Sequence, residues 1–176
     1  MNKTEKVIHL IPPLYNERSE ILVLGSFPSV KSRETAFFYG HPRNRFWWMI
    51  AEIFEEEKPK TVEEKKKLIL GHHLALWDVI AECEISGSSD SSIRNVKANN
   101  LGMILEHAPI RKILLNGKTA GNLFQKYIGD KTAIEYMILP STSPANAAWS
   151  PDRLKEAWKE AFIDIRERLR EEYIGK

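Results

Sequence analysis

The chain has 176 residues, enough for one compact domain and not comfortably for two. Hydrophobic residues make up 43% and charged residues 28%, which provides both a core and a solvated surface and excludes a globally disordered chain. The formal net charge is only +2, with a pI near 8.6, which excludes a histone-like polycation but leaves room for a local basic face. The lone cysteine, Cys83, excludes an intrachain disulfide and an all-cysteine zinc or iron–sulfur site. Such cysteine use suits a reducing cytosol, and a cytoplasmic, nucleoid-associated protein is expected. Near the start only Val7 to Ile11 precede Pro12-Pro13, too short a run for a signal-peptide core, and no stretch approaches the length of a membrane span.

In chain order, Glu20-Ile21-Leu22-Val23-Leu24-Gly25 is a short, branched apolar run closed by glycine, which predicts a buried strand delivering a loop. The loop is expected to be Ser26-Phe27-Pro28-Ser29-Val30-Lys31-Ser32, with a second irregular stretch at Phe37-Phe38-Tyr39-Gly40-His41-Pro42. Pro42 suits the first turn of a helix carrying Phe46, Trp47, Ile50, Ile53 and Phe54 on one stripe. Thr61 and Glu64 form a capping-box pattern for the next helix, which stops near Gly71. Leu74-Ala75-Leu76-Trp77-Asp78-Val79 predicts a second buried strand, and residues 87–92 a loop. Asn95 is expected to cap a helix through Leu101, Ile104, Leu105 and Ala108. Residues 112–117 predict a third strand, Ala120 to Ile128 an amphipathic helix, and residues 135–139 a fourth strand stopped by Pro140. An uncharged loop, 141–150, then leads through Ser150-Pro151 into one long final helix with Leu154, Trp158, Phe162, Ile165 and Leu169 inward.

Strands alternating with helices imply right-handed crossovers and a parallel sheet. The expected architecture is a single α/β domain over residues 1–176, a three-layer α/β/α sandwich around a central four-stranded parallel sheet. Such a sheet places its site outside the carboxyl ends of its strands. The rim therefore comprises residues 25–32, Asp78, Asn116-Gly117, residues 141–146 and the aromatic stretch 37–44.

Several motifs can be set aside. Gly117-Lys118-Thr119 lacks the glycine of a phosphate-binding loop, because Lys112 stands in its place. His72-His73 point to different faces with no third ligand at metal spacing, so neither a metal nor a cofactor is expected. Asn44, between Arg43 and Arg45, reads either as a cap or as a neutral amide over a small planar ligand. Ser141-Thr142-Ser143-Pro144-Ala145-Asn146 reads either as a plain loop or as one built to approach a phosphodiester backbone.

Three blocks taken in order resemble the uracil-DNA glycosylase superfamily, and within it the hypoxanthine-DNA glycosylase branch. They are Gly25-Ser26-Phe27-Pro28-Ser29 running on to Tyr39-Gly40-His41-Pro42-Arg43-Asn44-Arg45-Phe46-Trp47, then Leu76-Trp77-Asp78-Val79-Ile80 with Gly87-Ser88-Ser89-Asp90-Ser91, then Leu139-Pro140-Ser141-Thr142-Ser143-Pro144-Ala145-Asn146. The resemblance implies hydrolysis of the N-glycosidic bond of a deaminated base in DNA, by a monomer, with Asn44 as the catalytic amide. It departs from many superfamily members in having Ser26 and Phe27, and no carboxylate, directly after the first strand. Ser141 and Ala145 stand near the places of a histidine and an intercalating leucine in other branches.

On this reading Gly25, Ser26, Phe27, Tyr39 and His41 surround the flipped base, with Phe27 or Tyr39 stacking on it. Asp78 or Asn116 reads its polar edge. Lys31, Arg33, Arg43 and Arg45 are candidates for phosphate contact, with Pro28, Ser29, Ser32 and the loop Ser141, Thr142, Ser143, Pro144, Ala145 and Asn146 against the DNA. Residues 21–48 carry four basic residues against one acidic, a local +3 on the segment expected to meet DNA. Two other readings stay open: a uracil-selective enzyme of the same fold, and a non-catalytic nucleic-acid-binding module.

Overall fold

The computed structural model describes residues 3–175. Four parallel strands, β2 (Ile21–Gly25), β3 (Leu74–Asp78), β6 (Lys112–Asn116) and β7 (Glu135–Leu139), form one sheet in the order β3-β2-β6-β7. The register pairs Ile21 with Leu74 on one side and with Lys112 on the other, and Lys112 with Glu135 beyond. Every residue of β2 and β3 is buried, as expected of parallel strands covered on both faces. The edge strand β7 is more open, with Glu135, Tyr136 and Ile138 exposed. The strand ends align, so Gly25, Asp78, Asn116 and Leu139 meet on one rim.

Helices α2 (Phe46–Ile53), α3 (Val62–Gly71), α5 (Lys118–Tyr127), α6 (Pro151–Ala161) and α7 (Ile163–Ile174) flank the sheet. Phe46, Trp158 and Phe162 are fully buried where α2 packs on α6. Burying such rings stabilises the fold by roughly 1.5–3 kcal/mol each. Indole N–H groups in this core find backbone acceptors: Trp158 donates to Pro140 at 2.8 Å, Trp47 to Phe38 at 3.0 Å and Trp77 to Ile11 at 3.2 Å. The Trp158 bond ties α6 to the end of β7, next to the last rim loop.

Four expectations need correcting. The 26–32 segment is not all loop: Ser29 caps a short helix, α1 (Val30–Thr35), by accepting the Ser32 N–H at 3.1 Å. Helix α2 begins at Phe46 after the N-cap Arg45 rather than at Pro42, because residues 41–44 are held in a turn, in which the Asn44 side-chain carbonyl accepts the Phe46 N–H at 3.0 Å. Asn95 caps no helix; it lies in β5 (Arg94–Ala98) with φ of 52°, and the helix beyond shrinks to α4 (Gly102–Leu105). The final helix is two helices, broken at Phe162, whose backbone leaves the helical region at φ −107° and ψ 2°.

Residues 4–8 and 80–98 also build something the strand–helix alternation did not foretell. β1 (Thr4–Ile8), β4 (Ile80–Ser86) and β5 form an antiparallel sheet in the order β1-β4-β5. β4 leaves directly from the end of β3 through Val79, so this second sheet stands beside the rim. It closes a small core of Phe27, Ile80, Cys83, Ile85 and Ile93. Cys83 is buried there, and burial pushes its thiol pKa up, which leaves it an inert apolar side chain.

Candidate active site

The rim encloses a cavity of about 310 Å³ at the carboxyl ends of the parallel strands. That lies at the small end of the ~300–1,000 Å³ range of ligand pockets and suits a single base. Its lining brings together Gly25, Ser26, Phe27, Pro28, Ser29 and Ser32 after β2, Tyr39, His41 and Asn44 before α2, Asp78 and Asn116 at strand ends, and residues 141–145. Lys31, Arg43, Arg45 and Asn146 stand outside this lining. Phe38, Ile85, Ser88 and Asp90 line it too, and sequence reasoning had assigned no role to them.

Asp78 forms the buried floor at 4% exposure. Its Oδ2 lies 2.7 Å from His9 Nε2, and both side chains are almost wholly buried. His9, just past β1, also meets the edges of Phe27 and Trp77. The other carboxylate oxygen, Oδ1, occupies the space that a Cβ on Gly25 would need, so glycine there lets the carboxylate keep its place. Tyr39 stacks on Phe46 with ring centres 4.1 Å apart, and its hydroxyl reaches toward Gly25 and Asp78. That hydroxyl is buried with no hydrogen-bond partner among the described residues. Burial, reinforced by the Asp78 charge, pushes its pKa far up, and the nearby Asn116 amide offsets only part of this. Tyr39 is therefore a neutral wall residue with one ring face already covered.

Asn116 and Thr142 lock together. The Asn116 amide donates to Thr142 Oγ1, and its carbonyl accepts the Thr142 N–H, each at 3.0 Å. Gly117 follows at φ 99°, and a Cβ there would come within 2.9 Å of the Ser141 Cβ, so a second glycine is required where the rim loop crosses β6. The 141–146 loop also holds itself: Ser141 Oγ accepts from Ser143 N at 3.1 Å, and Asn146 Nδ2 donates to the Ser141 carbonyl at 3.0 Å.

Arg45 completes this brace. Its guanidinium donates to the carbonyls of Ser143 at 3.0 Å, Asn146 at 3.1 Å and Trp149. The side chain is thus engaged within the protein rather than presented to a phosphate. Arg33 is similarly engaged, donating to Pro28 and Gly87 carbonyls and lying over Phe27. Lys31 pairs with Glu34 at 3.3 Å on the surface. Arg43 is exposed, and its guanidinium makes no hydrogen bond or ion pair with any described residue. Ser32 is buried, its Oγ accepting the Gly40 N–H at 2.9 Å.

Asp90, in the turn between β4 and β5, stands at the mouth and accepts from Ser26 Oγ at 3.2 Å. Asp90 is exposed as a residue, so the loss of water that pushes its carboxyl pKa above the ordinary Asp value is partial, and the hydroxyls of Ser26 and Thr119 pull it part of the way back. Among the described residues, no group of three or more His, Cys, Asp and Glu side chains could hold a metal, and no helix is long and apolar enough to cross a membrane.

The fold built around the four-stranded parallel sheet agrees with a solved structure, and the sequence with known proteins. The family model of the uracil DNA glycosylase superfamily matches residues 12–164. A hypoxanthine DNA glycosylase of Methanosarcina acetivorans is 35% identical over 153 residues, covering 86% of this chain and 95% of that protein. A hypoxanthine DNA glycosylase of Methanosarcina barkeri is 32% identical over the same length and coverage. A solution NMR structure from Methanosarcina acetivorans, provisionally described as a uracil DNA glycosylase, superposes with a TM-score of 0.76 at 32% identity, covering 88% of this chain and 96% of that one. The chain belongs to the uracil DNA glycosylase superfamily. It is accordingly a DNA glycosylase, a hydrolase of N-glycosyl bonds whose substrate is DNA.

Proposed function

We propose that this protein removes deaminated bases from DNA, hypoxanthine first among them, by hydrolysing the N-glycosidic bond and leaving an abasic site for base excision repair. The observation that carries this reading is the buried acceptor Asp78 on the floor of a single-base pocket. Deamination turns the adenine ring N1 from an acceptor into an N–H donor. A carboxylate that can only accept favours hypoxanthine over adenine. The relatives named hypoxanthine DNA glycosylase support the choice of base. Uracil also offers a ring N–H to the same acceptor, and the provisionally described uracil DNA glycosylase supports it as a second substrate. Xanthine belongs to the same test.

A base within a duplex is out of reach, so the nucleotide flips into the pocket at a cost of a few kcal/mol in unstacking. Phe27 meets its face, Asp78 takes its ring N–H, and Asn116, at the end of β6 across β2, stands as the alternative reader. As the bond breaks, positive charge grows on the sugar and negative charge on the base. Asn44 lines the pocket, and its carbonyl is held by the Phe46 N–H at 3.0 Å. A carbonyl oxygen has two lone pairs, so this cap leaves acceptor capacity to position a water near C1′. An amide is too weak a base to take the proton, so its part is placement. Arg43 and the hydroxyls of Ser29 and Ser143 are suited to the phosphates.

The test is a panel of oligonucleotides containing hypoxanthine, uracil or xanthine, treated with purified protein and then with alkali. Cleavage fastest at hypoxanthine supports the reading. Faster cleavage at uracil reverses the order of substrates, and binding without cleavage of any leaves a non-catalytic module. Asn44→Ala is expected to slow release about 100-fold, and full activity in that variant removes Asn44 from the mechanism.

A further inference from the structure

Hydrolysis releases a proton from the attacking water, and the roles assigned so far provide no acceptor for it. The pocket lining contains two carboxylates, Asp78 and Asp90. Asp78 is already assigned: His9 holds one oxygen at 2.7 Å, and the ring N–H of the base takes the other. Asp90 differs in each respect. It lines the pocket yet is exposed to solvent, and hydroxyl groups hold it. Among the described residues no cation pairs with it. Ser26 Oγ donates to Asp90 Oδ1 at 3.2 Å, which leaves the carboxylate further lone pairs for a water.

The turn that carries Asp90 is stitched to the rim rather than loose. Ser88 Oγ accepts the Val30 N–H at 2.8 Å, and Arg33 donates to the Gly87 carbonyl at 3.2 Å. Ser92 Oγ closes the turn on itself by donating to the Ser89 carbonyl at 2.6 Å. The second sheet thus delivers a carboxylate beside Ser26, where the sequence directly after β2 has none.

We propose that Asp90 is the catalytic proton acceptor for the attacking water, with Ser26 as its positioning residue. The inference rests on the glycosylase reading above. The C1′–N bond breaks with its electron pair leaving on the base. The water oxygen forms the new bond to C1′, and one of its O–H bonds breaks as the proton passes to the Asp90 carboxylate. That proton then moves to the departing base or to solvent, which restores the carboxylate and requires no further reactant. The partly desolvated environment of Asp90 raises its basicity in the direction this step needs.

The test is single-turnover base release from the best substrate of the panel, alongside binding of the abasic product. Asp90→Asn is expected to slow release about 100-fold or more while product binding and the thermal melt stay near wild type. Asp90→Gly opens space for a small acid, and added formate is expected to restore part of its rate. Ser26→Ala is expected to give a smaller loss. Asp90→Asn with a rate within a few-fold of wild type overturns the proposal, as does a slow Asp90→Gly that formate leaves unchanged. A wild-type protein that releases no base at all overturns the glycosylase reading together with this one. An active wild type with an equally active Asp90→Asn overturns this one alone.

Discussion

His9 Nε2 and Asp78 Oδ2 lie 2.7 Å apart across 69 residues of sequence. The contact joins the two sheets: His9 follows β1 of the antiparallel sheet, and Asp78 ends β3 of the parallel one. The pocket floor is therefore held from the second sheet.

Removing the histidine leaves a buried carboxylate without its partner. His9→Ala is expected to destabilise the protein by roughly 2–4 kcal/mol, and to slow base release through loss of the Asp78 orientation. Urea unfolding and single-turnover rates check this, and an unchanged unfolding midpoint would contradict it.

Gly25→Ala places a methyl group where Asp78 Oδ1 now sits. The carboxylate must move, and a displacement near 1 Å at a reacting site costs about 100-fold in rate. Activity is expected to fall far more than stability, which parallel rate and melting measurements resolve.

Arg45 and Arg43 are expected to separate. Arg45→Ala removes donors from the carbonyls of Thr142, Ser143, Asn146 and Trp149 in the last rim loop, at a cost of roughly 2–4 kcal/mol. Hydrogen exchange across residues 141–149 is expected to rise, and the salt dependence of DNA binding to stay as in wild type. Arg43→Ala is expected to leave stability unchanged and to lower the salt slope by about 0.9, the loss of one phosphate contact. A salt slope that drops for Arg45→Ala instead would exchange their roles.

At the opposite end of the sheet, Glu20 receives both terminal nitrogens of Arg168 at 2.7 Å and contacts His73 at 3.1 Å. Burial alone would raise the Glu20 carboxyl, but hydrogen bonds from Arg168 and His73 and the charges of Arg168 and Arg111 outweigh it and hold the pKa below the ordinary range. The folded state thus binds this proton more weakly than the unfolded state does. Its contribution is fully present above the ordinary Glu value and is lost as pH falls through the depressed one. Glu20→Gln is expected to cost roughly 1–3 kcal/mol at neutral pH and to flatten the acid side of the stability profile. Urea midpoints across that range check the sign.

The parallel sheet was legible because its strands state their burial locally. Ile21 to Leu24 and Leu74 to Trp77 are continuous apolar runs ended by turn residues, and buried strands require little else. The antiparallel sheet was not legible. β1 reads Thr-Glu-Lys-Val-Ile and is mostly exposed, so it carries no apolar signature, and its partner Ser86 is far along the chain. Asn95 illustrates the same limit. An asparagine before an apolar stretch is a sound cap signal, but pairing with β4 overrides it. Asn44 has both local properties at once, since it lines the pocket and also holds the first N–H of α2.

Composition and a net charge of +2 excluded a histone-like polycation, and local apolar patterning settled a parallel sheet with a rim at its carboxyl ends. Which rim groups are available was decided only by the tertiary structure. Arg45 is engaged by carbonyls of residues 143–149, Asp78 by His9, and the Asp90 carboxylate reaches the pocket from a turn between strands that the sequence did not announce. The reason is physical. Burial of an apolar run is a local property with a periodic trace, whereas the state of a charged side chain depends on partners that only folding brings within hydrogen-bond distance.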